Sequence, residues 1–140
     1  MPAVPNQSFA GVSARDVMRS PVVGCSPDLP LADVAHLMCS NGIHSVVVDG
    51  TTRDDGGEHL VWGVVSDLDL VRAAISNPAA TAGDLAATKV VTVDATDPLE
   101  CVAAILADRD CSHVIVIDDG WPVGVVSTLD IAGVLGAAHR

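Results

Sequence analysis

The chain has 140 residues, 49% apolar and 18% charged, which is too apolar and too lightly charged for a disordered segment and suits one compact domain or two very small ones rather than a large multidomain enzyme. Seven Lys and Arg against 18 Asp and Glu leave a formal charge of −11 with no basic run, which argues against binding to nucleic acid or to an anionic membrane. No stretch reaches the roughly 18 uninterrupted apolar residues of a membrane span, and the first residues lack a basic start and apolar run, so a cytoplasmic protein is expected.

Residues 1–11 read as a flexible N-terminus. From there the chain repeats itself. An offset of 68 aligns residues 14–48 with 82–116, with 10 of 35 positions identical. Further on, an offset of 61 aligns GVVSDLD at 63–69 with GVVSTLD at 124–130, identical at six of seven positions. The seven extra residues of the first copy fall in the polar stretch 51–58, which reads as a long exposed hairpin loop. The second copy has a tight turn at 118–120 instead.

Each copy opens with a short helical turn, near Ala14 to Arg19 or Ala82 to Ala87, followed by a brief strand at Val22 and Val23 or from Val90 to Val93. A helix comes next, with Pro30 or Pro98 near its first position, where a missing N–H costs nothing. Its apolar stripe is Leu31, Val34, Ala35 and Met38 in one copy and Leu99, Val102, Ala103 and Leu106 in the other, the spacing of a core-facing helix. An apolar run, Ser45 to Val48 or Val114 to Ile117, pairs with Leu60 to Val65 or Val123 to Val126 as a hairpin. A last helix follows Ser66 or Ser127.

The expected fold class is α+β: two α/β-type β-α-β-β-α repeats over 12–75 and 82–138, joined by a linker at 76–81. A unit of about 60 residues buries only about 60% of its surface, so the repeats are expected to pack on each other with pseudo-twofold symmetry. With aromatic residues limited to Phe9, Trp62 and Trp121, the core must consist of Val, Ile, Leu and Ala.

Two such units, each ending in a Gly-Val-Val strand followed by Ser-x-x-Asp, resemble a tandem pair of cystathionine β-synthase (CBS) domains, a Bateman module, over about residues 13–138. The resemblance implies a regulatory, non-enzymatic module without catalytic residues, binding an adenosine-containing ligand in clefts between the repeats, often as a homodimer. The pattern [Ser/Thr]-x-x-Asp stands at four expected helix starts, 13–16, 66–69, 81–84 and 127–130, and each of these reads as a capping box. The second and fourth directly follow a strand. There a helix N-terminus opens at the strand end, Asp69 or Asp130 can accept from ribose hydroxyls, and Ser66 or Ser127 with the helix amides can face phosphate.

By family position, adenine would lie between Val22 and Val23 and the segment His44, Ser45, Val46 in one repeat, and between Val90 and Val91 and Ser112, His113, Val114 in the other. Where relatives often carry a basic residue and a proline near the end of the second strand, this chain has Ser45 and Val47, and His113 and Ile115. That departure and the net acidity rank AMP, adenosine and S-adenosylmethionine ahead of ATP as ligands, with no obligatory cofactor. Candidate cations are Arg15, Arg19, Arg72 and Lys89. His113 would make binding pH-sensitive if it touches the base.

His36, Cys39 and His44 invite a metal reading, but His36 lies off the apolar stripe and Cys39 has no counterpart at Ala107, so no metal site is expected. The four cysteines, at 25, 39, 101 and 111, form no Cys-x-x-Cys pair. The alternative function is a ligand-free interaction module that acts by dimerisation or partner docking, and a redox scaffold using Cys25 or Cys39 is a third. With no room for an effector domain, output is expected to pass to a separate effector protein.

Overall fold

The computed structural model describes residues 7–54, 57–88 and 90–137. After a short 3-10 turn, each repeat gives the same succession of elements. The first contains α1 (Ala14–Val17), β1 (Gly24–Cys25), α2 (Leu31–Asn41), β2 (Ser45–Asp54), β3 (Gly57–Ser66) and α3 (Asp67–Ser76). The second contains α4 (Ala82–Leu85), β4 (Thr92–Asp94), α5 (Leu99–Asp108), β5 (His113–Asp118), β6 (Trp121–Ser127) and α6 (Thr128–Ala137). The strands form two three-stranded sheets in the orders β1-β2-β3 and β4-β5-β6. Within each, the first pair is parallel and the second antiparallel.

Two strand details differ from the sequence expectations. The first strand of each repeat starts later, at Gly24 and Thr92, because Val23 and Val91 contribute only their carbonyls, to Val47 N–H (2.9 Å) and Ile115 N–H (3.1 Å). Of the stretch 51–58 expected as an open loop, residues 51–54 and 57–58 are strand, and residues 55 and 56 lie outside the described residues. The hairpin ladder continues through Thr51↔Leu60 and Thr52↔His59 to Asp54↔Gly57, so the insertion lengthens both strands. The second hairpin closes as expected through Asp119 and Gly120, with φ of 53° and 81°. Two consecutive positive φ values are what a twisted two-residue hairpin turn needs, and Gly120 adopts its own without strain.

The helices begin one residue after Pro30 and Pro98, which serve as extended N-caps rather than as first helical residues. The apolar stripes are buried as their spacing predicts, Val34 and Met38 in one repeat and Leu99, Val102 and Leu106 in the other. In one core they meet Val46, Val48, Val65 and Ala82, and in the other Ala14, Val93, Val114, Val116, Val126 and Ile131. Ala82 belongs to the lead-in of the second repeat and Ala14 to that of the first, so each lead-in is built into the core formed by the other repeat's sheet. The compact units are accordingly residues 1–22 with 91–140, and residues 23–90.

A backbone ladder fixes this exchange. Arg19 pairs with Val125 on β6 through N–H to O contacts of 2.9 and 3.1 Å, and Ala87 pairs with Val64 on β3 at 3.0 and 2.9 Å. Each lead-in thereby covers the free edge of a hairpin, where unpaired amides would otherwise face solvent. The glycine that opens each GVVS stretch makes room for it. A Cβ at Gly63 would stand 3.0 Å from both Ala86 Cβ and Ala87 O, and one at Gly124 3.0 Å from Arg19 O, with the Met18 side chain nearer still. No helix among the described residues is long and apolar enough to cross a membrane.

Candidate functional site

One end of each sheet gathers most of the sequence-predicted site residues. In the unit of residues 23–90, β2 starts where β3 ends, with Ser45 opposite Ser66. The parallel β1 brings Val23 to the same end. The first helical amide, Asp67 N–H, donates to His44 O at 2.9 Å, pinning α3 to the start of β2. Val23, His44, Ser45, Val46, Ser66 and Asp69 thus share one sheet end. The other unit has the same construction: His113 lies opposite Ser127, and Thr128 N–H donates to Ser112 O at 2.9 Å. Val91, Ser112, His113, Val114, Ser127 and Asp130 are grouped there. Val22 and Val90 are half-buried and stand at the boundaries between the two units.

The four [Ser/Thr]-x-x-Asp motifs at helix starts form capping boxes. The Ser66 amide donates to Asp69 Oδ2 (2.8 Å), and the Asp69 amide donates to Ser66 Oγ (3.2 Å). Ser127 and Asp130 repeat this at 2.8 and 3.2 Å, with a further bond from Ser127 Oγ to Asp130 Oδ2 at 2.9 Å. The lead-in boxes hold the four-residue helices α1 and α4, with Ser13 N–H on Asp16 (2.8 Å) and Thr81 N–H on Asp84 (3.0 Å). What sets the Ser66 and Ser127 boxes apart is position, since only these stand where a strand passes directly into a ten-residue helix.

Each capping carboxylate uses one oxygen for its serine amide. At Asp130 the other oxygen receives Arg19 Nε at 3.2 Å, with Arg19 63% and Asp130 12% exposed at the side chain. At Asp69 the matching place is taken by Ala87, and among the described residues no cation reaches it. His44 Nδ1 instead lies 2.8 Å from Asp67 Oδ2, on the exposed rim of the same sheet end. Asp67 escaped the sequence reading, although its place directly after Ser66 put it at the helix mouth. His113 is half-buried, with Nδ1 3.2 Å from Ser112 Oγ.

The remaining candidates lie elsewhere. Arg15 pairs with Asp118 at 3.0 Å, at the opposite end of β5, and Arg72 is exposed on α3. Lys89 lies outside the described residues. His36 and Cys39 are exposed on α2, where His36 contacts Ser40, and no group of three His, Cys, Asp or Glu among the described residues is placed to hold a metal ion. Burial, followed by the charge of Asp49, pushes the Cys25 thiol above its ordinary range.

The CBS domain model matches residues 14–76 and again 82–137. The chain belongs to the CBS domain family. Hypoxic response protein 1 of Mycobacterium tuberculosis is 29% identical to this CBS pair over 124 residues, covering 86% of this chain and 82% of that protein. Among solved structures, the CBS domain pair of protein MJ0100, in complex with 5′-methylthioadenosine and S-adenosyl-L-methionine, superposes with a TM-score of 0.75 at 23% identity, over 91% of this chain and 98% of that one. A structure of Hypoxic Response Protein I with two coordinated zinc ions matches with a TM-score of 0.66 at 28% identity, over 87% and 98% of the two chains. The mixed α/β fold with two three-stranded sheets is that of CBS domain pairs.

Proposed function

We propose that the protein is a non-enzymatic regulatory module that binds an adenosine-containing ligand at the Ser-x-x-Asp end of each sheet. The observation that carries this reading is the twofold occurrence of one construction: a strand ending in serine, a helix whose amides open at that point, and an aspartate one turn in. In this arrangement Asp69 or Asp130 keeps one oxygen for its serine amide, and the other, free of cations at Asp69 among the described residues and shared with the exposed Arg19 at Asp130, can accept from ribose hydroxyls. The helix N-terminus supplies a partial positive charge to a polar or anionic substituent. Val23 with Val46, and Val91 with Val114, supply apolar wall for the base, and Val22, Val90, Ser45 and Ser112 complete the set by family position. The adenosine compounds bound by MJ0100 belong to the ligand class proposed here, AMP, adenosine and S-adenosylmethionine ahead of ATP.

A thermal-shift series with these compounds tests the proposal. A compound at 100 times its dissociation constant adds about 2.7 kcal/mol of stability, a shift of several degrees for a chain this size. The shift should shrink in Asp69→Ala or Asp130→Ala, depending on which site is filled. Absence of a shift with every compound would discard the ligand reading.

A second reading has its own support. On α3, Leu68, Val71 and Ile75 are 51%, 59% and 84% exposed, and Leu129 on α6 is 70% exposed. Large apolar side chains at one-turn spacing suit association, and they underlie our proposal of a homodimer that passes its state to an effector protein. Light scattering on the purified chain reports the dimer, and Val71→Glu with Ile75→Glu should return it to a monomer.

A further inference from the structure

The two Ser-x-x-Asp ends share their backbone but not their charge. Arg19 and Ala87 are equivalent positions, one offset of 68 apart, and each is locked by the same antiparallel pairing to an equivalent strand residue, Val125 or Val64. What stands beside the capping aspartate therefore depends on one side chain. Beside Asp130 it is a guanidinium at 3.2 Å. In the other unit the equivalent position is Ala87, which carries no charge, and the charge that follows Ser66 is the Asp67 carboxylate with His44 at 2.8 Å. Each end has an imidazole nearby, His113 or His44, but one pairs its capping carboxylate with a largely exposed guanidinium, whereas the other adds a second carboxylate, Asp67.

We infer that Arg19 makes the two sites unequal: the Ser127–Asp130 site takes an adenosine ligand bearing a 5′-phosphate, and the Ser66–Asp69 site takes one that is neutral or cationic there, such as adenosine or a sulfonium. This rests on the adenosine-site reading above. Asp130 does not depend on Arg19 to stay in place, because the Ser127 amide and hydroxyl both hold Oδ2. Arg19 can therefore leave Oδ1 to the ribose and turn to the phosphate, with which its planar fork makes two charge-assisted bonds. Its backbone stays anchored to Val125 throughout, and its side chain, largely in solvent, has little packing to lose. At the other end a phosphate would approach Asp67 and Asp69 with no described cation to receive it, while a sulfonium would be attracted by the same carboxylates.

Calorimetric titration with AMP and with adenosine separates the sites when carried out on Asp69→Ala, which keeps only the Arg19 site, and on Asp130→Ala, which keeps only the other. The readout is the ratio of AMP to adenosine affinity. In the Asp69→Ala background AMP should bind about tenfold more tightly than adenosine, a preference that weakens with added salt and falls to about one when Arg19→Ala is added. In the Asp130→Ala background adenosine should bind at least as well as AMP, and adding Ala87→Arg should turn the ratio toward AMP. A ratio unaltered by both Arg19→Ala and Ala87→Arg overturns the charge assignment while leaving the adenosine reading intact. Failure of the unmutated protein to bind either compound removes that reading and this inference together.

Discussion

Gly124 and Arg19 stand so close that a methyl group on the glycine would lie 3.0 Å from the arginine's carbonyl oxygen. That oxygen accepts from Val125 N–H in the pairing that holds the lead-in on β6, so it cannot retreat without breaking the ladder. Gly63 is confined in the same way by Ala86 and Ala87. Gly124→Ala and Gly63→Ala should each cost about 1–3 kcal/mol, the usual range for forcing extra volume into a packed contact. Urea midpoints would show it, and a variant as stable as the parent would mean that the lead-in sits more loosely than described.

The capping boxes at α3 and α6 predict a smaller stability effect, separate from any ligand effect. Asp69→Ala and Asp130→Ala each strip the acceptor from a serine amide at a helix start, at a cost of about 1 kcal/mol without ligand. The exposed Arg19 contact should add little for Asp130, since pairs in solvent are weak. The urea midpoint should drop with no change in slope. Losses several times larger would assign these aspartates a heavier structural role.

Acid should weaken the unit of residues 1–22 and 91–140 through two identified carboxylates. Asp16 is held below its usual value near 3.8 by the Ser13 amide and then the Ser13 hydroxyl, and Asp94 by the Thr96 amide and then its hydroxyl. A carboxylate whose folded value is depressed contributes stability above its unfolded value and loses it as pH falls toward the folded one. The midpoint should therefore decline below about pH 4, and Asp16→Asn with Asp94→Asn should lower stability at pH 6 and flatten that decline. An equally steep fall in the double variant would point to other groups.

Thiol chemistry should sort the cysteines by environment. Cys39 and Cys101 are exposed, whereas the Cys25 thiol is pushed up by burial and by Asp49. Because the thiolate is the reactive form, iodoacetamide at pH 8 should label Cys39 and Cys101 well before Cys25. Asp49→Asn should speed the reaction at Cys25. Peptide mass mapping gives the order, and early labelling of Cys25 would revive a redox role for it.

Elements with periodic apolar positions were legible in the sequence. The stripes through Val34 and Met38 and through Leu99, Val102 and Leu106 located both core helices, and the GVVS stretches located the last strand and helix of each repeat. The first strands were misplaced by one or two residues, because a valine pair signals a strand and cannot show that only one carbonyl joins the ladder. Residues 51–58 read as a loop because polar residues and glycines are the usual mark of one, whereas cross-strand pairing set by the flanking register carried the hairpin onward. At the sites, Ser66, Asp69, Ser127 and Asp130 stood out by motif. The contact of Arg19 with Asp130 did not, because it spans 111 positions and depends on which sheet the lead-in joins.

That choice of sheet also orders the assembly of the chain in time. Residues 23–90 form one uninterrupted stretch, whereas the other unit is made of the first 22 residues and the last 50, with the whole of its companion spelled out in between. A chain emerging from the ribosome can complete the inner unit while α1 and Arg19 still wait for β6 to be synthesised. Residues 7–22 can therefore settle only after β6 and α6 have been made, and the Arg19–Asp130 pair cannot form until Asp130 has emerged.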